Sequence, residues 1–407
     1  MMDFQSLGLA PRLTARLAEG GLVTPTPIQA QAIPHALAGR DVIGLAQTGT
    51  GKTAAFGLPL VHALGKTGVR PEPKRPVGLV LAPTRELAKQ IADTLGDFTR
   101  GSHLRVSLVV GGASMNRQAD TLRKGVDLLV ATPGRLIDLI ERKALSLDDT
   151  RFLVLDEADQ MLDMGFIHAL RRIARLLPAR RQTMLFSATM PRQIEELSRG
   201  YQTDPVRIEV ARPGLAVDRI DQWVHFVAQP EKLALLKTML ADHPGERSLV
   251  FARTKHGAER IMKQLAKAGF AAGSIHGNKS QGQRERTIAA FRKGTTKVLV
   301  ATDVAARGLD IEGVGHVYNY DLPNVAENYV HRIGRTARAG ADGRAVAFCS
   351  ADESAALKDI QKLLKASIPV GGGQPWHPLA ANSGKPRAAR PARPRRNRSR
   401  TKMRAAA

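Results

Sequence analysis

A run that begins at Asp41 and continues Val42-Ile43-Gly44-Leu45 feeds into Ala46-Gln47-Thr48-Gly49-Thr50-Gly51-Lys52-Thr53. Thr53-Ala54-Ala55-Phe56 then reads as the opening of a helix. A buried strand, a glycine-bearing loop and a helix start, in that order, aim backbone amides and the positive end of a helix at one point. In such a loop Gly49 and Gly51 let the backbone approach phosphate oxygens. Lys52 reaches the β and γ oxygens, and Thr53 offers its hydroxyl to Mg²⁺. Ala46 occupies the place of the usual first glycine. The pattern demands an α/β fold that binds a nucleoside triphosphate.

A second run, Phe152-Leu153-Val154-Leu155, ends in Asp156-Glu157-Ala158-Asp159. Continuous apolar residues read as a central parallel strand, and a carboxylate at its C-terminal end points into the crevice where such sheets bind ligands. Asp156 suits the metal and Glu157 suits the orientation or deprotonation of an attacking water. An acidic first turn of a solvated helix would read the same in isolation. Downstream of the phosphate-binding loop, the catalytic reading prevails.

These residues make the chain resemble a DEAD-box RNA helicase of superfamily 2, with the motifs in order from Phe4 to about Ser350. The resemblance implies an α/β chain of two tandem RecA-like domains, ATP and Mg²⁺ as cofactors, and RNA as partner. It implies that Phe4, Thr24 and Gln29, the last within Thr24-Pro25-Thr26-Pro27-Ile28-Gln29, serve adenine recognition. A side-chain amide can both donate and accept against the adenine edge. Leu22 stands where the family usually has an aromatic residue. The resemblance further implies nucleotide contacts from Ala46, Gln47, Thr48, Gly49, Thr50, Gly51, Lys52 and Thr53, with Thr53 and Asp156 at the metal.

Pro83-Thr84-Arg85-Glu86-Leu87, with Pro83, Thr84 and Arg85 as the contacts, Gly111-Gly112 and Thr132-Pro133-Gly134-Arg135 resemble the RNA-contacting strings of the first domain. Each combines hydroxyls or backbone amides with arginine, donors that grip phosphate and sugar without reading bases. Alone, each would pass for a helix cap or a turn. By resemblance, the helix starting near Gly134 is a wedge that bends one RNA strand. Ser187-Ala188-Thr189 resembles the segment that links hydrolysis to strand separation, with Asp159 beside it.

The second half has its own α/β rhythm, with strands expected at Ser248–Phe251 and Lys297–Val300 and a helix from Gly257 to Ala268. It carries no phosphate-binding loop. His331-Arg332-Ile333-Gly334-Arg335-Thr336-Ala337-Arg338 matches the string that supplies the family's arginine fingers, Arg335 and Arg338, although Ala337 replaces a usual glycine. By the same resemblance Arg253, Gly277 and Thr302 contact RNA, Gly308 and Asp310 contact the nucleotide, and Gln281, Arg284, His331 and Arg332 couple the two sites.

The expected boundaries are 1–208 for the ATP-binding domain, 209–222 for a linker, 223–366 for the second domain and 367–407 for a disordered basic tail. The formal net charge of +24 calls for a polyanionic partner. From Gly371 onward no acidic residue occurs, and arginines from Arg387 to Arg404 alternate with Pro, Ala and Ser. Such a segment cannot bury enough apolar area to order itself, and it is read as an auxiliary RNA tether. Trp376 lies too far from other aromatics to form a stacking platform.

No apolar stretch is long enough to span a bilayer, and Met1-Met2-Asp3-Phe4 lacks the form of a signal peptide. The single cysteine, Cys349, is expected to be a buried structural thiol in a reducing cytoplasm. No His/Cys cluster with metal-ligand spacing stands out. The chain more narrowly resembles bacterial RhlE-like helicases, which implies a place in ribosome assembly or RNA turnover. The rival reading is an RNA-annealing chaperone whose ATP cleft only regulates its grip on RNA.

Overall fold

The chain, described here from a computed structural model, is resolved over residues 3–47, 49–68, 70–210, 220–306, 313–337 and 342–376. The sequence expectations for Thr48, Gly308, Asp310, Arg338, most of the linker and the Arg-rich segment beyond 376 lie outside the described residues.

Seven strands form the first sheet: β1 (Val42–Leu45), β2 (Gly78–Leu81), β3 (Val106–Val109), β4 (Leu128–Ala131), β5 (Phe152–Leu155), β6 (Gln182–Ser187) and β7 (Val206–Glu209). Their order is β3-β4-β2-β5-β6-β1-β7, and every pairing is parallel. Strands β1, β2 and β4 are buried at every position, because helices cover both faces of a parallel sheet. One face packs Phe56, Leu60, Ile91 and Leu95; the other packs Leu136, Leu139, Leu170 and Ile173.

The second sheet comprises β8 (Ile220–Phe226), β9 (Arg247–Phe251), β10 (Ala272–Ile275), β11 (Val298–Ala301), β12 (Val314–Asn319), β13 (Gly343–Cys349) and β14 (Val370–Gly372), ordered β10-β11-β9-β12-β13-β8-β14. The helix expected from Gly257 runs Lys255–Lys267, capped by Thr254, whose Oγ1 accepts from Gly257 N at 3.0 Å. Cys349 is buried, and burial pushes its thiol up to about 11, as a structural thiol requires.

Two boundaries differ from expectation. Residues 220–222 belong to β8 rather than to the linker. Val370–Gly372, assigned by sequence to the disordered tail, adds to β8 as a parallel edge strand. Trp376 Nε1 then donates to Cys349 O at 2.9 Å, and the ring packs against the core cluster that includes Leu364 and Ile368. The second domain therefore continues through Trp376. Among the described residues, no helix is long and apolar enough to cross a membrane.

Candidate functional site

Among the described residues, the C-terminal ends of the strands carry most of the expected site residues, while Gln29, Gln281, Arg284, His331 and Arg332 lie on helices. From β1 the chain turns through Gly49 (φ 88°) and Gly51 (φ 87°) into the helix Lys52–Thr67. The left-handed Gly51 admits no side chain, since a Cβ there would lie 2.3 Å from Gln29 Nε2. Thr50 Oγ1 donates to Gln47 O at 2.7 Å, which tightens the loop. Ala46 N donates to Ser187 O at 3.0 Å and ties the loop to β6.

Gln29 is part of this loop's support. Its Nε2 donates to Gly51 O at 3.0 Å, while its Oε1 accepts from Thr26 N at 2.9 Å. Thr26 Oγ1 donates to Thr50 O at 2.8 Å. The amide expected at adenine thus clamps the phosphate-binding loop from the start of the helix Pro27–Leu37, within a capping box. Phe4 lies in the hydrophobic core of the first domain, whereas Thr24 is exposed.

Lys52 is buried, and its Nζ makes no hydrogen bond to any described residue. A desolvated ammonium costs free energy unless an anion compensates it, so the loop fits a phosphate. Asp156 and Glu157 follow β5 and are 2% exposed each. Burial pushes the Asp156 carboxyl up to about 7, with Glu157 and Asp159 adding repulsion and Lys52 opposing them. Buried carboxylates at the foot of a hydroxyl-bearing loop form a donor set that suits a hard cation. Glu157 itself takes a left-handed backbone, φ 52° and ψ 53°, as the N-cap of the helix Ala158–Asp163. For a non-glycine residue this is an uncommon conformation of the kind found at active sites.

Asp159 joins two expected motifs. Its Oδ2 accepts from Ala188 N at 3.1 Å, Thr189 N at 2.9 Å and Thr189 Oγ1 at 3.0 Å, and Ser187 Oγ accepts from Asp159 N at 3.2 Å.

The expected RNA-gripping residues gather at the ends of β2, β3 and β4. Thr84 caps the helix Arg85–Thr99, its Oγ1 accepting from Leu87 N at 3.2 Å. The Arg85 guanidinium lies against Gly111 and Gly112, close enough that a Cβ on Gly112 would fall 2.2 Å from Nη1. The expected wedge helix runs Pro133–Glu141 with Thr132 as its N-cap and Gly134 exposed. Arg135 Nη1 donates to Ala113 O at 3.0 Å, which binds this helix to the Gly111-Gly112 loop.

In the second domain Arg253, Gly277 and Thr302 follow β9, β10 and β11. Gly277 is exposed, and Arg253 Nη2 donates to Glu353 Oε1 at 2.6 Å. Arg332 is a buried hub: it bridges Asp303 through Nε (2.5 Å) and Nη2 (2.8 Å), donates to Asn319 Oδ1, and stacks over Phe251. Arg335 is 5% exposed, and its Nε donates to His331 O at 3.3 Å.

The two domains meet through Arg284, whose Nη2 lies 2.9 Å from Glu86 Oε2. Arg85 Nη1 and Gln281 Oε1 lie at the outer hydrogen-bond limit of 3.5 Å. Glu86 stands within the Pro83–Leu87 string read as RNA-contacting, but that reading gives it no role of its own. As an acid in a helix's first turn it would by itself mean only a favourable dipole contact.

Comparison with known proteins adds to this geometry. The family described as "DEAD/DEAH box helicase" matches residues 26–197, and "Helicase conserved C-terminal domain" matches residues 231–340. DEAD-box ATP-dependent RNA helicase CshA of Bacillus cereus is 45% identical over 368 residues, covering 90% of this chain and 69% of that protein. The chain belongs to the DEAD-box helicase family. Solved members of similar fold include S. cerevisiae Dbp5 bound to RNA and ADP BeF3. Its TM-score is 0.80 at 32% identity, over 91% of this chain and 96% of that one. Mss116p bound to ssRNA and AMP-PNP gives a TM-score of 0.82 at 28% identity, over 92% of this chain and 80% of that one. Two RecA-like domains are thus the architecture of this DEAD-box chain.

Proposed function

We propose that this DEAD-box protein is an ATP-dependent RNA helicase, in which RNA-stimulated ATP hydrolysis drives local, non-processive duplex unwinding or ribonucleoprotein remodelling. The observation that carries the reading is the buried Lys52 Nζ, without a hydrogen-bond partner among the described residues, beside Asp156 and Glu157, in a domain joined by Glu86–Arg284 to one that carries Arg335.

The Gly49–Thr53 loop presents amides and the Lys52 ammonium to the β- and γ-phosphates, and Gln29 links the nucleotide-facing segment to that loop. Thr53 and Asp156 would hold Mg²⁺, partly through water, and the ion when bound offsets charge on the phosphate oxygens. Glu157 orients a water toward the γ-phosphorus and accepts its proton as the new P–O bond forms. The bond to the β,γ-bridging oxygen breaks, giving ADP and phosphate. Arg335 and Arg338 stabilise charge on the transferring phosphoryl group, and a finger of this kind contributes roughly 10³ to 10⁵ in rate. Gly308 and Asp310 complete the nucleotide contacts.

Thr84, Arg85, Gly111, Gly112 and Thr132–Arg135 grip one RNA strand through its backbone, joined by Arg253, Gly277 and Thr302 from the second domain. Backbone contacts carry no sequence information, so the grip is sequence-independent. Asp159 transmits the state of the phosphate site to Ser187–Thr189. The proposal includes a cytoplasmic setting and a role in ribosome assembly or RNA turnover.

The test is strand displacement on a short RNA duplex with a single-stranded extension. ATP-dependent release of the short strand supports the proposal. Strand annealing without ATP, and no release with it, replaces the proposal with an annealing chaperone.

A further inference from the structure

On the far side of the second domain, three ligand-bearing side chains converge. His243 and Glu246 stand three residues apart on the turn between the helix Lys232–Ala241 and β9, and His316 is the third residue of β12. One ligand atom from each lies within 4.8 Å of the others. The His243 and His316 rings stack with centroids 4.3 Å apart and planes at 24°. Glu246 Oε2 approaches His316 Nε2 to 2.8 Å, and Glu246 Oε1 approaches His243 Nδ1 to 4.0 Å.

Two details separate this cluster from an ordinary surface ion pair. The His316 side chain is 4% exposed, and its buried Nε2, 2.8 Å from the Glu246 carboxylate, has no well-aligned hydrogen-bond partner among the described residues. Residue 315 is also a glycine: a Cβ there would sit 2.4 Å from Glu246 Oε2, so a larger residue would displace the carboxylate from the imidazole.

We propose that His243, Glu246 and His316 form a site for a transition-metal dication such as Zn²⁺, separate from the nucleotide site. Two imidazoles and one carboxylate are a ligand set that zinc accepts, with water in the fourth position. Tetrahedral bonds of about 2.0–2.2 Å set ligand atoms roughly 3.4 Å apart. The 2.8 Å His316–Glu246 contact must therefore open, the wider separations of up to 4.8 Å must close and the His243 ring must turn out of its stack, movements the partly exposed turn can supply. Burial holds the His316 imidazole below its usual pKa, favouring the neutral form that ligates. Glu246 opposes that shift, while His243 and Arg344 reinforce it. Arg344, paired with His316 across the sheet, is a cation the metal must tolerate, while Asp242 adds negative charge near Tyr318.

The site lies at the entry ends of β9 and β12, whereas Arg253 and Asp321 follow their exit ends. Its metal would staple the turn to the sheet instead of taking part in hydrolysis.

The experiment titrates chelator-stripped full-length protein with Co²⁺ and with Zn²⁺, each alone, and compares it with His243→Asn, Glu246→Gln and Asp156→Asn. The first two substitutions lie on the partly exposed turn. The expected result is one equivalent of Co²⁺ with the visible absorption of a four-coordinate ion and a Zn²⁺-raised unfolding midpoint. Affinity should fall at least about tenfold in His243→Asn and Glu246→Gln and persist in Asp156→Asn. Equal binding by the wild type and the two turn variants, or a Co²⁺ spectrum of six-coordinate type only, overturns the site.

Discussion

Arg284 of the second domain pairs with Glu86 of the first at 2.9 Å, with side-chain exposures of 10% and 6%, while Glu86 Oε1 and Arg284 Nε have no hydrogen-bond partner among the described residues. A half-satisfied buried pair adds little net stability, because desolvation offsets much of the attraction. Its removal from one side leaves an unpaired charge in the closed cleft. Arg284→Ala should therefore weaken RNA-stimulated ATP hydrolysis while leaving each domain folded. The double variant with Glu86→Ala should be no worse than either single one, giving a coupling of about 1–3 kcal/mol in a double-mutant cycle of kcat/KM. Additive losses would show that the pair does not join the domains in the working cycle.

Gly51→Ala should abolish nucleotide binding. The left-handed backbone alone costs about 1–2 kcal/mol for an L-residue, and the new Cβ would displace Gln29 from Gly51 O. Binding of a fluorescent ATP analogue reads the loss. Gln29→Ala should weaken the same binding less, because it removes the clamp and leaves Lys52 in place.

Asp159→Ala removes the acceptor for three donors from Ala188 and Thr189. Hydrogen bonds to a charged group contribute about 1.5–3 kcal/mol each, and loss of these should loosen the Ser187–Thr189 segment. The expected outcome is a larger fall in strand displacement than in ATP hydrolysis. Equal falls in both would make Asp159 a structural residue alone.

Removal of residues 377–407 should lower RNA affinity at low salt and flatten its salt dependence by about 0.7 in log–log slope for each phosphate no longer neutralised. A cut at Gly371 would confound this test, since it breaks β14 and removes Trp376 from Cys349 O. The shorter chain should also unfold at a lower temperature. An unchanged affinity after the cut at 377 would leave the basic segment without a tethering role.

The central strands were legible because a parallel sheet buried on both faces needs uninterrupted apolar residues. Phe152–Leu155 lies where it was expected, β9 starts one residue earlier, and β11 is shifted by one residue at both ends. Strand β14 was not legible: Val370-Gly371-Gly372 has no periodicity and becomes a strand only by pairing with β8. Gln29 shows a different limit. The Thr26-x-x-Gln29 spacing encodes a capping box, but its bond to Gly51 joins residues far apart in sequence. Arg332 was read as a coupling group from its motif, while its place as a buried hub depends on Asp303, Asn319 and Phe251. Glu86 was invisible as a latch because its partner lies in the other domain.

The most direct test of the account is steady-state ATP hydrolysis by the intact chain and by Glu157→Gln, with single-stranded RNA, with matched DNA and with no nucleic acid. RNA should stimulate hydrolysis where DNA does not, and Glu157→Gln should lose it. Hydrolysis equal with and without RNA, or retained in Glu157→Gln, would contradict it.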